Sequence, residues 1–220
     1  MKIIAHKVKQ AYMTYFDPKV IGTDKKGVSF STTVIVTPES RFTVPEMGLK
    51  QVPLKDIPAV CNKVIVDKLG KATAKDKNWF LNKADGSTTR DEYVNDDGDY
   101  HDGFDKNTWY LSGKKYPSDI TKSKCGQFDA GELYVVDKAK NRITAQDGNI
   151  KPGDTVNAVF DVYAFSGDEA KGLTATVEGV QKWADGKALT LGGASGGISD
   201  DDFEMGEEDL PEDDDAASMM

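Results

Sequence analysis

The 220-residue chain lacks most of the usual handles of catalysis. It has two cysteines and two histidines. These four residues, His6, Cys61, His101 and Cys125, stand singly, whereas a metal site normally shows at least one close pair of ligands. Cysteines so placed fit no disulfide framework and read as free, partly buried thiols of a reducing, cytosolic compartment. A serine or cysteine nucleophile would have only two histidines to supply its usual base. No glycine loop is built to hold a phosphate, because "GDEAKGL" (167–173) lacks the Lys-Ser/Thr that must follow the second glycine. The acidic run "DDGDYHDGFDKN" fails the calcium-loop spacing: counted from Asp97, position 5 is His101, position 6 is Asp102 and position 12 is Thr108. The opening "MKIIAHKVKQAYMTYF" has no apolar run of signal-peptide or membrane-span length. No internal repeat is visible. Metal, cofactor, membrane and enzyme readings therefore all start weak, with a metal-dependent nuclease the enzyme left in view.

Cations are missing from one region only. The last 22 residues, "SDDDFEMGEEDLPEDDDAASMM" (199–220), carry 11 of the 37 acids and no Lys or Arg. The other 26 acids face all 28 Lys and Arg, a body net of about +2, although the formal charge of the chain is −9. Acidity belongs to the tail, and the body is mildly basic.

Periodicity in the body predicts mainly strands with one helix. Ala5 to Phe16 and Gly27 to Thr37 read as a first antiparallel pair across a turn-rich "DPKVIGTDKK". Between Pro53 and Gly70, Ile57, Val60, Val64 and Leu69 recur at helical spacing, with Pro58 near the start and Gly70 at the stop. Residues 82–107 turn to Asp, Gly, Asn and Thr, the chemistry of a mobile loop. Further short strands follow in "NTWYLSG", "GELYVVD", "DTVNAVFDVYAF" and "GLTATVEGVQKW". Five to seven short strands and one amphipathic helix predict a small barrel or sandwich over residues 1–190. A Gly/Ser linker (191–198) and a disordered acidic tail (199–220) complete the expected layout.

Strand alternation picks out aromatics that add nothing to a core. It sets Tyr12, Tyr110 and Tyr163 on polar faces, with Phe165, Trp109 and Trp79 as further candidates. Near them in sequence lie Lys7 and Lys9, Lys114 and Lys115, Lys122 and Lys124, and Lys171. Rings among lysines suit single-stranded nucleic acid, because rings stack on bases and Lys neutralises phosphate.

The stretch Ile150 to Gly193 resembles the last two strands of tailed-phage single-stranded DNA-binding proteins with an OB-fold, of the Enterobacter phage type. The shared residues are Gly153 and Val156, Tyr163 at a strand end, the opening Gly172-Leu173, Val180-Gln181 and the closing Gly192-Gly193. "FSTTVIV" (30–36) resembles the family's second strand, and a barrel, Gly linker and acidic tail follow its order. Two features depart from the pattern: the 82–107 loop is more acidic, and the tail ends "AASMM" without a terminal aromatic. The resemblance implies a five-stranded, partly open OB barrel that binds single-stranded DNA during phage replication or recombination, in the cytoplasm of the infected host. It implies no cofactor. Its tail would compete for the DNA groove and contact phage or host replication proteins, with Phe203, Asp213, Asp214 and Asp215 as candidate contacts. A segment of 22 flexible residues spans roughly 25 Å, enough to reach a groove on its own body. The rival readings are a phage structural or assembly β-domain that binds no nucleic acid and a duplex-binding accessory protein. Self-association stays open.

Overall fold

A computed structural model of the chain describes residues 1–19, 29–73, 76–115, 133–144, 147, 150–167 and 170–190. The linker and the acidic tail lie outside them. The elements run β1 (Lys2–Lys19), β2 (Ser29–Ile35), β3 (Arg41–Val44), β4 (Leu49–Val52), α1 (Ile57–Leu69), β5 (Lys77–Asn78), β6 (Leu81–Lys83), β7 (Trp109–Lys115), β8 (Tyr134–Val136), β9 (Thr155–Ser166) and β10 (Lys171–Ala184). Five of these strands make the barrel wall in the order β10-β9-β1-β2-β7, every neighbouring pair antiparallel. The fold is the mainly-β, partly open OB barrel with one helix that the sequence implies. Short strands are added at the edges: the β3-β4 hairpin on β1, β6 on β7, and β5 and β8 parallel to β10. No helix among the described residues is long and apolar enough to cross a membrane.

β1 is longer than its sequence pattern suggests because it serves two neighbours in succession, β9 through Lys2 to Lys9 and β2 from Lys9 onward. Bulges let it bend between them. One slips the β9 register between Ala5 and Val8, where Lys7 adopts φ 54. Another slips the β2 register between Gln10 and Met13. That second slip breaks the period of two, so Gln10 and Tyr15, expected on opposite faces, both turn inward and are buried. Inside, the Gln10 Nε2 donates to Tyr12 O (2.8 Å) and Thr32 Oγ1 (3.2 Å), and the Tyr15 hydroxyl donates to Gln10 Oε1. A buried amide is tolerated only because its bonds are made.

The core is the inward half of each strand: Ile3, Ala5 and Val8 of β1, Phe30 and Val34 of β2, Leu111 of β7, Val156 to Val162 at alternate positions of β9, and Leu173, Ala175 and Val177 of β10. Helix α1 lays Ile57, Val60, Cys61, Val64 and Ile65 against it. As predicted, Pro58 sits in its first turn, and Gly70 ends it with φ 76, its N–H donating to Val66 O at 2.8 Å. Burial pushes the Cys61 thiol up to about 12, an inert thiol; Cys125 lies outside the described residues.

The barrel is open along one seam. β7 and β10 face each other without a hydrogen-bonded ladder, but they approach closely: a Cβ at Gly113 would sit 3.2 Å from the Val177 backbone nitrogen of β10. Lys115 Nζ and Glu178 Oε2, 3.1 Å apart, tie the two strands across the seam.

Beyond β6, residues 84–107 hold no named strand or helix, but they pack onto the barrel. Phe104 and Ala84 join Ala11, Ile35 and Tyr110 in a second buried cluster, with Tyr12, Tyr93 and Tyr100 packed against it. Ring centroids lie 4.3 Å apart for Tyr93 and Phe104 and 5.3 Å for Tyr93 and Tyr110. The Tyr93 N–H donates to Ala84 O at 2.9 Å, and Val94 and Tyr100 form a bridge. The aromatics spaced among the segment's acids make these contacts.

Candidate nucleic-acid interface

A groove of about 590 Å³ runs over the seam. Its floor comes from outward residues of β2 and β7, where Ser31 faces Lys114 and Thr33 faces Ser112 in the ladder. One wall is β9 and β10, where Tyr163 pairs with Thr174 and Phe165 with Gly172. The other side carries Trp79 and Arg90. Trp79 is fixed from behind, its N–H donating to Leu173 O at 2.8 Å, and the Arg90 guanidinium lies 5.5 Å from the Trp79 ring centroid. A cation over an indole is attracted by the ring's quadrupole.

Three aromatics thus converge on one groove. Tyr163 is 44% exposed and Trp79 37%, so both rings are open to a ligand. Phe165 is half-buried beside Tyr163. Among the described residues, the charged groups lining the groove are Lys114 and Arg90, with no carboxylate beside them. The Thr33 and Ser112 hydroxyls, 3.2 Å apart, add polar contacts along the floor. Such a site can stack planar bases and neutralise phosphates. Among the described residues, no three His, Cys, Asp or Glu side chains are grouped to hold a metal ion.

The sequence pattern of the family described as "Enterobacter phage Enc34, ssDNA-binding protein" matches residues 1–216. The chain belongs to this family. Protein p50 of Acyrthosiphon pisum secondary endosymbiont phage 1 is 29% identical over 213 residues, 95% of this chain and 97% of that one. The solved single-stranded DNA-binding protein from bacteriophage Enc34 matches at a TM-score of 0.55 with 13% identity, over 91% of this chain and 88% of its own. The same protein in complex with single-stranded DNA matches at 0.56 with 14% identity, over 85% and 88%. At such identities the likeness carries the fold.

For this member of the Enc34 family, the structure brings together four of the sequence candidates, Trp79, Lys114, Tyr163 and Phe165. Lys171 opens β10 at the same hairpin, its Nζ 3.8 Å from Asp76 Oδ1. Other candidates stand elsewhere. Tyr110 is corrected outright: it is on the outward face of β7, as alternation requires, but the 82–107 segment covers that face and leaves it 1% exposed. Tyr12 is half-buried in the same cluster, edge-on to Tyr93 at 5.9 Å and to His101 at 6.4 Å. Trp109 packs partly against the main core. Lys115 is engaged by Glu178, Lys9 is half-buried mid-strand, and Lys7 lies at a β1 bulge with its N–H on Asn157. Lys122, Lys124, Phe203, Asp213, Asp214 and Asp215 lie outside the described residues.

Arg90 was missed. It is the lone cation in "STTRDEY", and proximity in sequence ties it to acids rather than to Trp79, eleven positions earlier. The turn at Asp85-Gly86 that returns the chain is the signal that could have suggested the pairing.

Proposed function

We propose that this protein binds single-stranded DNA in the groove over the β7–β10 seam, without strong sequence preference, and protects it during phage DNA replication and recombination in the cytoplasm of the infected host. The observation that carries this reading is the convergence of Trp79, Tyr163 and Phe165 with Arg90 and Lys114 on one groove, whose described lining holds no carboxylate. Each stacked base contributes about 1–3 kcal/mol, whatever its identity, since every base has a π face. Lys114 and Arg90 meet phosphates, and Lys171 meets those leaving past the β9–β10 turn. The Enc34 relative, a single-stranded DNA-binding protein solved in complex with single-stranded DNA, supports the same ligand. Duplex is bound more weakly because its bases are already stacked and cannot reach rings set in a groove. The role is binding, not catalysis.

The acidic segment 199–220 competes for the same cations when DNA is absent, and once displaced is free for basic patches on replication or recombination proteins, through Phe203 and Asp213 to Asp215. Both ideas are tested together by titrating single-stranded and duplex DNA of equal length over a salt series, with the full chain and with a chain ending at Ile198. Single strands should bind tighter, with a slope near −0.7 per phosphate neutralised. The truncated chain should bind tighter still, most clearly at low salt. Equal affinity for duplex would overturn the single-strand reading, and an affinity indifferent to truncation would remove the competition.

A further inference from the structure

The groove occupies one end of the outward face of β9. The same face continues through Asp161, whose carboxylate meets the Met1 ammonium at 2.9 Å, to Val159 and Asn157. From Tyr163 to Asn157 is about 20 Å of extended strand. At this far end lies a concavity of two lobes, about 230 and 260 Å³, both lined by His6 and Asn157. Trp183 lines the first lobe and Tyr134 the second. Tyr134, at 55%, is the most exposed of the large hydrophobic side chains among the described residues.

Both rings are served by one short turn, "DKAKNR" (137–142). Lys138 Nζ lies 4.9 Å from the Trp183 ring centroid, Arg142 Cζ lies 4.6 Å from that of Tyr134, and Lys140 lines the second lobe. The turn is rigidly made. Its only carboxylate, Asp137, is held within the turn, accepting from the Asn141 N–H (2.8 Å) and Nδ2 (2.9 Å). An amide relay binds it to the barrel: the Lys7 N–H donates to Asn157 Oδ1, Asn157 Nδ2 to Gln181 Oε1, and Gln181 Nε2 to the Asp137 and Lys138 carbonyls. The non-glycine residues with left-handed backbone among the described residues are Lys7, Gln51 and Lys140, with φ of 54, 55 and 70, and all three line these lobes. Backbone of that kind is costly for residues with a Cβ and gathers where a surface must hold a set shape.

We propose that this face is a second contact for single-stranded DNA, taking the part of a longer strand that has run out of the groove. Lys138, Lys140 and Arg142 meet its phosphates, and Trp183 and Tyr134 offer rings to its bases. The proposal rests on the groove being the primary site. A nucleic-acid strand fits better than an acidic peptide because the second lobe is walled by Ile4, Val136, Val159 and Val180, apolar surface that base faces can cover, while the chain's own acidic segment brings one aromatic, Phe203.

The test uses the full chain with Lys138→Glu, Lys140→Glu and Arg142→Glu combined, oligothymidine of about 8 and about 30 nucleotides, and a labelled peptide of residues 199–220. The three positions are turn or surface sites, and the corresponding triple alanine variant, with an unchanged melting temperature, controls for folding. The short oligomer should bind as it does to the parent, while the long one should bind about tenfold more weakly with a salt slope shallower by about 2, three cations at 0.7 each. An unchanged affinity and slope for the long oligomer would overturn the proposal. So would loss of the peptide alone, which would make the face a peptide site. Failure of the groove reads out separately: a Tyr163→Ala chain that still holds the short oligomer at full affinity refutes the primary site and leaves the triple variant's result to be read on its own.

Discussion

Two groups of aromatics stand on the outer wall of the same barrel and have opposite fates. Trp79 and Tyr163 are open beside Arg90 and Lys114, whereas Tyr110 is covered by Tyr93 and Phe104 of the 82–107 segment. Both groups obey strand alternation where they are on strands, since Tyr110 and Tyr163 each point away from the barrel interior. What separates them is whether another piece of chain lies on top. A covered ring contributes to stability; an uncovered one is left for a ligand.

Exchanging the two tyrosines' roles by mutation is the strongest way to break this comparison. Tyr110→Ala should cost about 3–5 kcal/mol of folding stability, as for other large-to-small changes at closely packed buried rings, with DNA affinity per folded molecule unchanged. Tyr163→Ala should do the reverse, leaving the melting midpoint within experimental scatter and weakening oligonucleotide binding by about 1–3 kcal/mol, one stacked base. Denaturant melts and fluorescence anisotropy on the pair decide it. A Tyr163→Ala chain that melts early but binds normally would reverse the assignment.

A smaller change sharpens the same point. The Tyr110 hydroxyl is buried with no hydrogen-bond partner among the described residues, and desolvation raises its pKa. Removing an unpaired polar atom while keeping the ring should be neutral or favourable. Tyr110→Phe is therefore expected to match or exceed the parent by up to about 1 kcal/mol. A clear loss of stability in the denaturant midpoint would mean that the hydroxyl has a partner, such as an ordered water.

The comparison also explains what was legible in the sequence. The helix was, because its apolar spacing, Pro58 and Gly70 act locally and nothing in the tertiary structure opposes them. β9 and β10 were, because an inward and an outward face follow from alternation alone. Gln10 and Tyr15 were not, since a bulge changes the parity of the strand and leaves no mark on the hydrophobic pattern. The β3–β4 hairpin and the two- and three-residue strands β5 and β6 are too short for a period to show. Within the candidate site, Tyr163 is open and Tyr110 is covered although both face outward, because alternation reports which side a residue faces and only the path of a distant loop reports whether that side is wet. Arg90 needed that same path to be known.

The covering segment should itself have a pH window, which is the mildest way to undo the difference between the two regions. Asp85 near its start is bonded by Lys83 and by the Ser87 hydroxyl and N–H, and these hold its carboxyl down to about 2 from an ordinary 3.8. A carboxylate so depressed contributes stability that is present above the ordinary value and is lost as pH falls through the folded one, here between about 4 and about 2. At the other end of the scale, the Tyr100 hydroxyl donates to Glu92 Oε1 at 2.6 Å, and that bond raises its pKa from 10.0 to about 12. A raised tyrosine contributes stability that is complete below the ordinary value and is lost as pH climbs through the folded one. Both side chains are half-buried at the edge of the segment, and their loss loosens the segment without unfolding the barrel. The near-ultraviolet circular dichroism of the Tyr93–Phe104–Tyr110 cluster should hold steady from about pH 4 to about pH 10 and decline outside those limits, with the far-ultraviolet signal of the strands unmoved. A near-ultraviolet transition centred between about pH 5 and pH 9 would show that a group other than these two fastens the cover.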